Sequence, residues 1–416
     1  MYHRLRVGLL VVFCLSIGNL FGLFAQHSTD YYSLSMVGNA GNGIFAPYYL
    51  SANKHGLVTH SKSGYLRASV FKGLEMNKRF SYEFGIDLVG LMSSTSPVSY
   101  YSDGNLKTYN PGVSSFLIQQ AYIGMKYRMI FISAGCRELT DEVVNFELSS
   151  GGLVWSGNAR PIPQVRAGFI DFVDIPFTKG WVQIKGELAY GKFMDNDFLR
   201  DHYNYYNQYI TTDALYHHKS ISFRSNPDKP FVVTIGAELA AQFGGTKRYY
   251  EKGILIDSLT MKSPTRLKDF FKILFPSSGD GQTNEGDQAY YYGNHVGQWN
   301  LSAEYRFKDN SSVRGYFEWY YDDASGMGKF NGWDGLWGLE YKSGKKNWLS
   351  NVVLEYLDMT NQSGPLNWCP SDYNEPKLDI EATGADDYYN NYFYNGWAHY
   401  GLSNGTAMAK SLLYNT

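Results

Sequence analysis

Alternation with a period of two is the feature that most constrains how this chain can fold. In WVQIKGELAY, mostly apolar side chains from Val182 to Tyr190 alternate with polar ones from Gln183 to Glu187. The pattern recurs in FVVTIGAELAAQF, WNLSAEYRFK and FSYEFGIDLVG, and more loosely in FLIQQAYIGMKY, SVRGYFEWYY and NWLSNVVLEYL. Because successive side chains of a strand point to opposite faces of a sheet, each segment predicts a strand with one apolar and one polar face.

The length of these segments indicates what the two faces contact. Runs of about ten residues exceed the usual strand of soluble proteins and match a tilted strand that crosses a bilayer. The chain also combines 36 Tyr, 25 Phe and 9 Trp with a polar mean hydropathy of −0.34, which suits aromatic girdles around a watery interior. We predict an all-β fold, a transmembrane antiparallel β-barrel. A secreted sandwich or jelly roll is the alternative, because its strands also alternate.

The first residues predict export. Arg4 and Arg6 precede an apolar run that closes on Ala25, which is the layout of a secretory signal peptide. A retained membrane anchor is the alternative, although polar residues and glycines interrupt a run barely long enough to cross a bilayer. We expect residues 1–25 to be a cleaved signal and residues 26–416 to form one domain, since no linker divides them.

Charge and hydropathy narrow the partners further. The net charge of −2, from 37 basic and 39 acidic residues, gives no long-range field to recruit nucleic acid. No later stretch reaches the roughly 18 unbroken apolar residues of a membrane helix. If the protein lies in a membrane, it therefore crosses it as a barrel that contacts lipid through its strands.

Two long insertions, residues 195–230 and 246–297, interrupt the strands, and loops of this length are usually functional or disordered. The second contains SPTRLKDFFKIL, where Ser263 suits the N-cap and Pro264 the first helical position. We predict a short amphipathic helix there that packs on or inside the barrel. Its expected apolar stripe is Leu267, Phe270, Phe271 and Leu274.

The stretch SGGLVWSGNARPIPQVRAGF, Ser150 to Phe169, resembles a segment of the capsule-assembly (Wzi-like) outer-membrane protein family. Members of this family carry a similar Gly-Asn-x-Arg-Pro-x-Pro sequence after a Gly-Gly turn. Three further stretches look like family segments in the expected order: ALYHHKSISFR, GNHVGQW and YYNNYFYNGWAHYGLSNGTAMA. The resemblance covers nearly all of the mature chain. It implies an outer-membrane barrel of about eighteen strands, plugged by short helical and loop segments, that binds capsular polysaccharide or exopolysaccharide without catalysis.

Two prolines make the signature segment unusual for a barrel. Because Pro161 and Pro163 cannot donate to a sheet, we expect an ordered loop that crosses or lines the lumen. Asn158 and Arg160 are then expected to bind either polysaccharide or the inner wall, with the wall favoured and a strand carboxylate such as Glu187 or Glu238 as the partner of the arginine. The signature residues are Asn158, Arg160, Pro161, Pro163 and Gln164.

Aromatic clusters provide the candidate carbohydrate contacts. Aromatic faces suit the apolar sides of sugar rings, while nearby amides and charges suit the hydroxyls. The alternative role of each ring is packing in a girdle or a loop. The candidates are Tyr205, Tyr206, Tyr209, Tyr291, Tyr292, Trp299, Tyr389 and Trp397.

No residue pattern favours catalysis, a metal or another cofactor. His217 and His218 are adjacent on a predicted strand, so they point to opposite faces and cannot chelate one ion. HYGLSNG is similar to the His-x-Ser-Asn-Gly sequence of outer-membrane phospholipases, but His399 and Ser403 lie roughly 13 Å apart in an extended segment, against the ~3 Å that a catalytic pair needs. We therefore predict a protein that is not an enzyme.

Two questions about the whole chain stay open at this stage. A porin-like transport channel of the same architecture is the main functional alternative, because an open lumen would conduct ions. The chain ends in AKSLLYNT, without the terminal aromatic residue that commonly closes outer-membrane barrels. We expect either a different pattern in the last strands or the absence of the final strands.

Overall fold

The fold is mostly β in the part of the chain that the structure describes. This computed structural model describes residues 30–141, 143–284, 287–288, 291–322, 325–328, 332–345, 348–362, 388–409 and 411–414. The predicted signal peptide, residues 1–25, lies outside the described residues. Within them, no helix has both the length and the apolar character that crossing a membrane would require.

The strands follow one another closely along the chain. In order they are β1 (Asp30–Phe45), β2 (His60–Lys72), β3 (Phe80–Ser93), β4 (Val98–Ser102), β5 (Asn105–Tyr109), β6 (Phe116–Tyr127), β7 (Ile130–Cys136), β8 (Gln164–Phe169), β9 (Val173–Asp174), β10 (Val182–Lys192), β11 (Gln208–Ser225), β12 (Phe231–Glu251), β13 (Ile254–Leu255), β14 (Met261–Lys262), β15 (Asn294–Arg306), β16 (Ser312–Asp322), β17 (Gly335–Lys342), β18 (Asn351–Asp358), β19 (Ala398–His399) and β20 (Leu402–Ser403).

Sixteen of these described strands form one antiparallel sheet. Its path runs β1-β2-β3-β6-β7-β8-β10-β11-β12-β15-β16-β17-β18, with β9, β13 and β14 added at the side of β10 or β12. Two separate hairpins, β4–β5 and β19–β20, complete the set. Within the described residues β1 pairs with β2 and β18 pairs with β17. The large antiparallel sheet is confirmed, whereas closure into a barrel and a count of eighteen strands stay predictions.

The faces of the sheet are inverted relative to a soluble protein. On β3 the apolar residues Phe80, Tyr82, Phe84, Ile86 and Leu88 are 37% to 57% exposed. The polar residues between them, Ser81, Glu83 and Asp87, are 0% to 5% exposed. A soluble sandwich buries its apolar side chains, so this arrangement disfavours the sandwich alternative. We call the apolar side the outer face and the polar side the inner face.

Buried polar side chains on the inner face bind one another. Asp87 accepts hydrogen bonds from Arg67 and, at 3.1 Å, from Gln120. Glu83 pairs with Arg137 at 2.8 Å. Because a buried polar group without a partner costs free energy, these pairs allow the polar parity of the strands to be buried.

Stacked rings mark the outer face near one end of the strands. Trp319 stacks on Trp333 with centroids 4.9 Å apart, and Phe317 stacks on Trp337 at 3.8 Å. Trp299 lies opposite Trp319 in the ladder. Aromatic residues at the edge of an apolar band are typical of the girdles of membrane barrels.

The two ends of the strands differ in their connections. One end, the turn end, carries short connections at residues 73–79, 128–129, 226–230, 307–311 and 343–350. The other, the loop end, carries long connections at residues 46–59, 94–115, 137–163, 193–207 and 256–293. In outer-membrane barrels the long loops are extracellular and the short turns periplasmic.

The helices are short and lie at the loop end: α1 (Tyr48–Ser51), α2 (Asn196–His202) and α3 (Leu267–Leu274), with 3-10 turns at Asp257–Leu259, Ser325–Gly328 and Leu412–Tyr414. The predicted helix is confirmed as α3, but Arg266 is its N-cap and Ser263 is not. Phe270 and Ile273 pack against the sheet, whereas Leu267 and Phe271 are exposed. The predicted stripe is therefore wrong in part, because the helix turns a different face to the sheet.

Leu301 on the outer face of β15 tests whether this face contacts lipid. We expect Leu301→Arg to lower the free energy of unfolding by about 1–3 kcal/mol, the cost of a cationic side chain inside the apolar band but nearer to one interface than to its middle. Phe307→Arg, beyond the turn end of the same strand, serves as the control and should cost about 0–1 kcal/mol. The measurement is urea unfolding from phospholipid vesicles, and equal losses in both variants would contradict a lipid-facing wall.

Candidate functional site

Two segments pack against the inner face of the sheet. We call residues 143–163, between β7 and β8, the crossing loop, and residues 388–414 the C-terminal segment. Carboxylates of the wall accept hydrogen bonds from backbone amides of the crossing loop. Glu318 accepts from Leu153 at 2.8 Å, and Glu355 accepts from Ser150 at 2.7 Å. The crossing loop is thus attached to β16 and β18 through its main chain.

The C-terminal segment fastens the crossing loop from its other side. The indole N–H of Trp397 donates to the carbonyl of Val154 at 2.7 Å, and the Tyr389 hydroxyl donates to that of Leu153. The amide of Ser156 donates to the carbonyl of Asn404 at 2.7 Å. Together the two segments form a plug whose backbone groups are largely satisfied by protein.

The signature residues lie in this plug. Asn158 is buried and its amide donates to the carbonyl of Ser403 at 3.0 Å. Pro161 and Pro163 precede the sheet, since β8 begins at Gln164. The segment is therefore outside the ladder, and Asn158 joins the crossing loop to the C-terminal segment.

Arg160 does not pair with either predicted wall carboxylate. Its guanidinium lies 4.1 Å from the ring centroid of Tyr400, a cation–π contact. Its carbonyl accepts a hydrogen bond from His399 Nδ1 at 2.8 Å. Glu187 instead binds Arg166, which lies two residues after the signature and points inward from β8. The expected Arg160–carboxylate pair is thus replaced by a stacking contact within the plug.

A network of charged side chains lies under the crossing loop. The sequence analysis did not predict it. Glu187 accepts from Arg166 Nε at 3.0 Å, and Glu238 accepts from His218 Nε2 at 2.8 Å. Beside it is a cavity of about 130 Å³ that is also lined by Trp155. The sequence could have predicted that these residues point inward, because they share the polar parity of their alternating strands. It could not have predicted which of them pair across β8, β10, β11 and β12.

A group of tyrosines, two of them exposed and three half-buried, lies at the loop end. The β4–β5 hairpin docks on the connection before β11, where the Tyr101 amide donates to the Asn204 carbonyl at 2.8 Å. The rings of Tyr101 and Tyr206 are 4.9 Å apart, and Tyr206 is 42% exposed. We call this group the tyrosine crest; it comprises Tyr100, Tyr101, Tyr109, Tyr205 and Tyr206.

Several other predicted carbohydrate contacts are packing residues in this structure. Tyr209, Tyr292 and Trp397 are buried, and the Tyr292 hydroxyl accepts from the Gly244 amide at 3.1 Å. Tyr389 is half-buried with its hydroxyl bound to the crossing loop, and Tyr291 is half-buried next to Tyr292. Their predicted role stays untested, but of the predicted rings only Tyr205 and Tyr206 belong to the crest.

Trp299 lies apart from the plug and the crest. It is on the outer face, exposed in part, and its indole N–H donates to the carbonyl of Met327 at 3.0 Å. This position fits the alternative that was expected for aromatic residues, a girdle facing lipid.

His399 and Ser403 lie in the β19–β20 hairpin and not in an extended segment. Ser403 pairs with Ala398, and His399 pairs with Leu402. The Nε2 atom of His399 accepts from the Met194 amide at 3.2 Å while Nδ1 binds Arg160. Burial lowers the pKa of His399, which favours the neutral imidazole. Both of its ring nitrogens are hydrogen-bonded to backbone groups. In the described part of the chain, no group of three or more His, Cys, Asp and Glu residues is arranged to hold a metal.

Comparison with known proteins supports the fold. No family model and no curated protein matches this chain. Among solved structures it is similar to Wzi, an outer membrane protein involved in group 1 capsule assembly in Escherichia coli and described as a carbohydrate-binding β-barrel, with 13% identity and a TM-score of 0.51. The match covers 93% of this chain and 65% of the other. The resemblance is thus supported as a likeness of fold, and family membership stays a prediction.

Trp397 tests whether the plug stabilises the sheet. Trp397 is 1% exposed, so Trp397→Phe removes buried volume and leaves the Val154 carbonyl without its donor. We expect a loss of about 1–4 kcal/mol in the free energy of unfolding. Trp348→Phe is the matched control, because Trp348 is 93% exposed and should change stability by less than about 0.5 kcal/mol. Urea unfolding followed by circular dichroism measures both, and a silent Trp397 variant would show that the plug contributes little.

Proposed function

We propose that this chain is an outer-membrane β-barrel that binds capsular polysaccharide or exopolysaccharide at its loop end and helps to anchor or assemble it at the cell surface. The observation that carries the proposal is an inverted sheet filled by its own chain. Such a sheet offers lipid contact on the outside, little free space within, and an aromatic surface at one end.

The proposed outer-membrane location is supported by the apolar side chains of the outer face. Apolar residues alternate outward along β3, β15 and β18, and rings gather near the ends of the strands. A protein of similar fold is an outer membrane protein. Together with the predicted signal in residues 1–25, these features support export followed by insertion as a barrel.

The tyrosine crest is the surface we assign to polysaccharide. Its two exposed rings, Tyr109 and Tyr206, offer apolar faces for pyranose rings, as aromatic residues do at wet interfaces. Side chains that can hydrogen-bond to sugar hydroxyls lie beside them on the β4–β5 hairpin, where Asp103, Asn105 and Lys107 are exposed. The similar structure is described as carbohydrate-binding, which supports this class of ligand.

A transport channel is the alternative, and an enzyme is less favoured. The wall carboxylates Glu318 and Glu355 are bound by the crossing loop, whereas a conducting pore would leave such groups to water and ions. A lipid hydrolase would need a free imidazole beside Ser403, but both nitrogens of His399 are bound to backbone. We therefore propose a binding protein without catalytic activity.

Tyr206 tests the proposed binding surface. We expect Tyr206→Ala to weaken binding of purified capsule or exopolysaccharide from the source organism about three- to tenfold, because one aromatic contact is worth about 1 kcal/mol. Tyr127→Ala is the matched control, since Tyr127 is exposed near the turn end of β6. Co-sedimentation of labelled polysaccharide with protein-containing vesicles measures the affinity. Binding that is absent in the unsubstituted protein would contradict the function, and equal affinities of all three proteins would contradict the crest.

A further inference from the structure

Helix α3 lies on the outer face of the sheet, away from the plug. The Phe270 ring is 5.2 Å from the rings of both Tyr190 and Phe243. The Tyr190 hydroxyl donates to the Phe270 carbonyl at 3.0 Å. Phe243 has the same strand parity as the exposed Ile235 on β12. The helix therefore covers part of the surface that faces outward.

The wall beneath this part of the chain carries polar groups that a lipid-facing sheet would not expose. His217 and His295 have outward parity and are fully buried. The ammonium group of Lys219, also outward, binds the carbonyls of Ile273 and Leu274. A cation there satisfies terminal carbonyls and complements the helix dipole. The connection between β12 and β15, which includes α3, shields these groups from the surroundings.

In their place the helix presents a new apolar surface. Leu267, Phe271 and Phe275 are 56% to 77% exposed. Their spacing of four residues puts them on one side of the helix. The helix thus restores an apolar exterior where the strands underneath do not provide one.

The position of α3 along the strands is that of a membrane interface. Lys219, which holds the end of the helix, pairs with Leu239, and Leu239 pairs with Gly297. Gly297 is two residues from Trp299, which lies opposite Trp319 among the aromatic rings on the outer face. Tryptophan side chains concentrate at the boundary between hydrocarbon and headgroups, so this end of α3 lies close to that boundary.

Basic residues lie near the start of the helix. Arg266 and Lys268 contact Asp280 at 2.7 Å and 3.0 Å, and both remain exposed. Lys268 lies beside Phe271 on the exposed side of the helix, since residues three apart are neighbours. Amphipathic helices in a membrane interface combine such cations with bulky apolar residues, and a lysine at the edge of the apolar side can reach the headgroups with its ammonium group.

We propose that α3 is an interfacial helix outside the barrel, with Leu267, Phe271 and Phe275 inserted among the acyl chains of the outer leaflet. The occupant of its exposed apolar face is lipid, because that face continues the apolar outer face of the sheet at the level of its tryptophans. This proposal rests on the proposed membrane location, and goes beyond it by assigning a lipid contact to a segment that is not a strand.

Site-specific fluorescence quenching tests the proposal in the full-length protein. Single cysteines replace Phe271, Lys107 or Leu301 in a chain whose Cys14, Cys136 and Cys369 are changed to serine, and each is labelled with a small fluorophore. Each protein is reconstituted in phospholipid vesicles with nitroxide groups on the acyl chains, and iodide is the aqueous quencher. Phe271→Cys reports the exposed apolar side of the helix, Lys107→Cys reports the exposed β4–β5 hairpin as the aqueous reference, and Leu301→Cys reports the outer face of the sheet.

The expected result is at least threefold stronger acyl-chain quenching at positions 271 and 301 than at 107, with the reverse order for iodide. If position 301 is quenched by the acyl chains while 271 responds to iodide as 107 does, α3 lies in water and only this proposal fails. If 271 is shielded from both quenchers, protein covers the face and the lipid contact is refuted. If 301 itself is not quenched by the acyl chains, the membrane location fails and the proposal fails with it.

Discussion

The structure depends on hydrogen bonds between carboxylates of the sheet and backbone amides of the crossing loop. Glu318 and Glu355 are held in the interior, where an ionised carboxylate without donors would be very costly. The amides of Leu153 and Ser150 supply those donors. In return the wall satisfies backbone groups of a loop that contains no regular structure. Neither the polar inner face nor the irregular loop would be stable alone.

The apolar character of the outer face follows from the alternation of polar and apolar side chains along each strand. Once the charged parity of each strand is bound inside, the apolar parity is left outside, and only a hydrocarbon environment makes such a surface favourable. Where the outward residues are polar, at His217, Lys219 and His295, the chain covers them with α3 and its flanking residues. In our proposal, the tyrosine crest at the loop end is the part of the molecule that contacts a hydrated glycan.

Much of this organisation is encoded locally and was predictable. Period-two alternation located β3, β6, β10, β12, β15, β16 and β18, but it missed β1, β2 and β11. The irregular insertion predicted at residues 195–230 is wrong in part, because it contains β11. The assignment of apolar residues to the exterior agrees with the exposure of β3. The helix at Leu267–Leu274 was also predictable, but its buried face was not, because tertiary contacts with Tyr190 and Phe243 choose it. The pairing of Glu187 with Arg166 and not with Arg160 has the same cause. It depends on which residue of β8 faces β10, and the start of β8 is set by the end of the proline segment.

The environment of each aromatic residue was not predictable from the sequence. Tyr206 and Trp397 both lie in clusters rich in tyrosine and asparagine, yet one ring is exposed at the loop end and the other is enclosed by the plug. Composition alone cannot separate these environments, because amphipathic rings suit both. Residues 398–403 mislead in a similar way: the segment is a hairpin, so spacing along the sequence does not give the separation of His399 and Ser403.

The most direct test of a plugged, polysaccharide-binding barrel is the electrical conductance of the purified full-length protein in a planar bilayer, measured with and without polysaccharide from its source. The account predicts no steady current in either condition, while the same preparation retains labelled polysaccharide on vesicles. Large steady currents that polysaccharide does not change would contradict it, and would establish an open transport channel in its place.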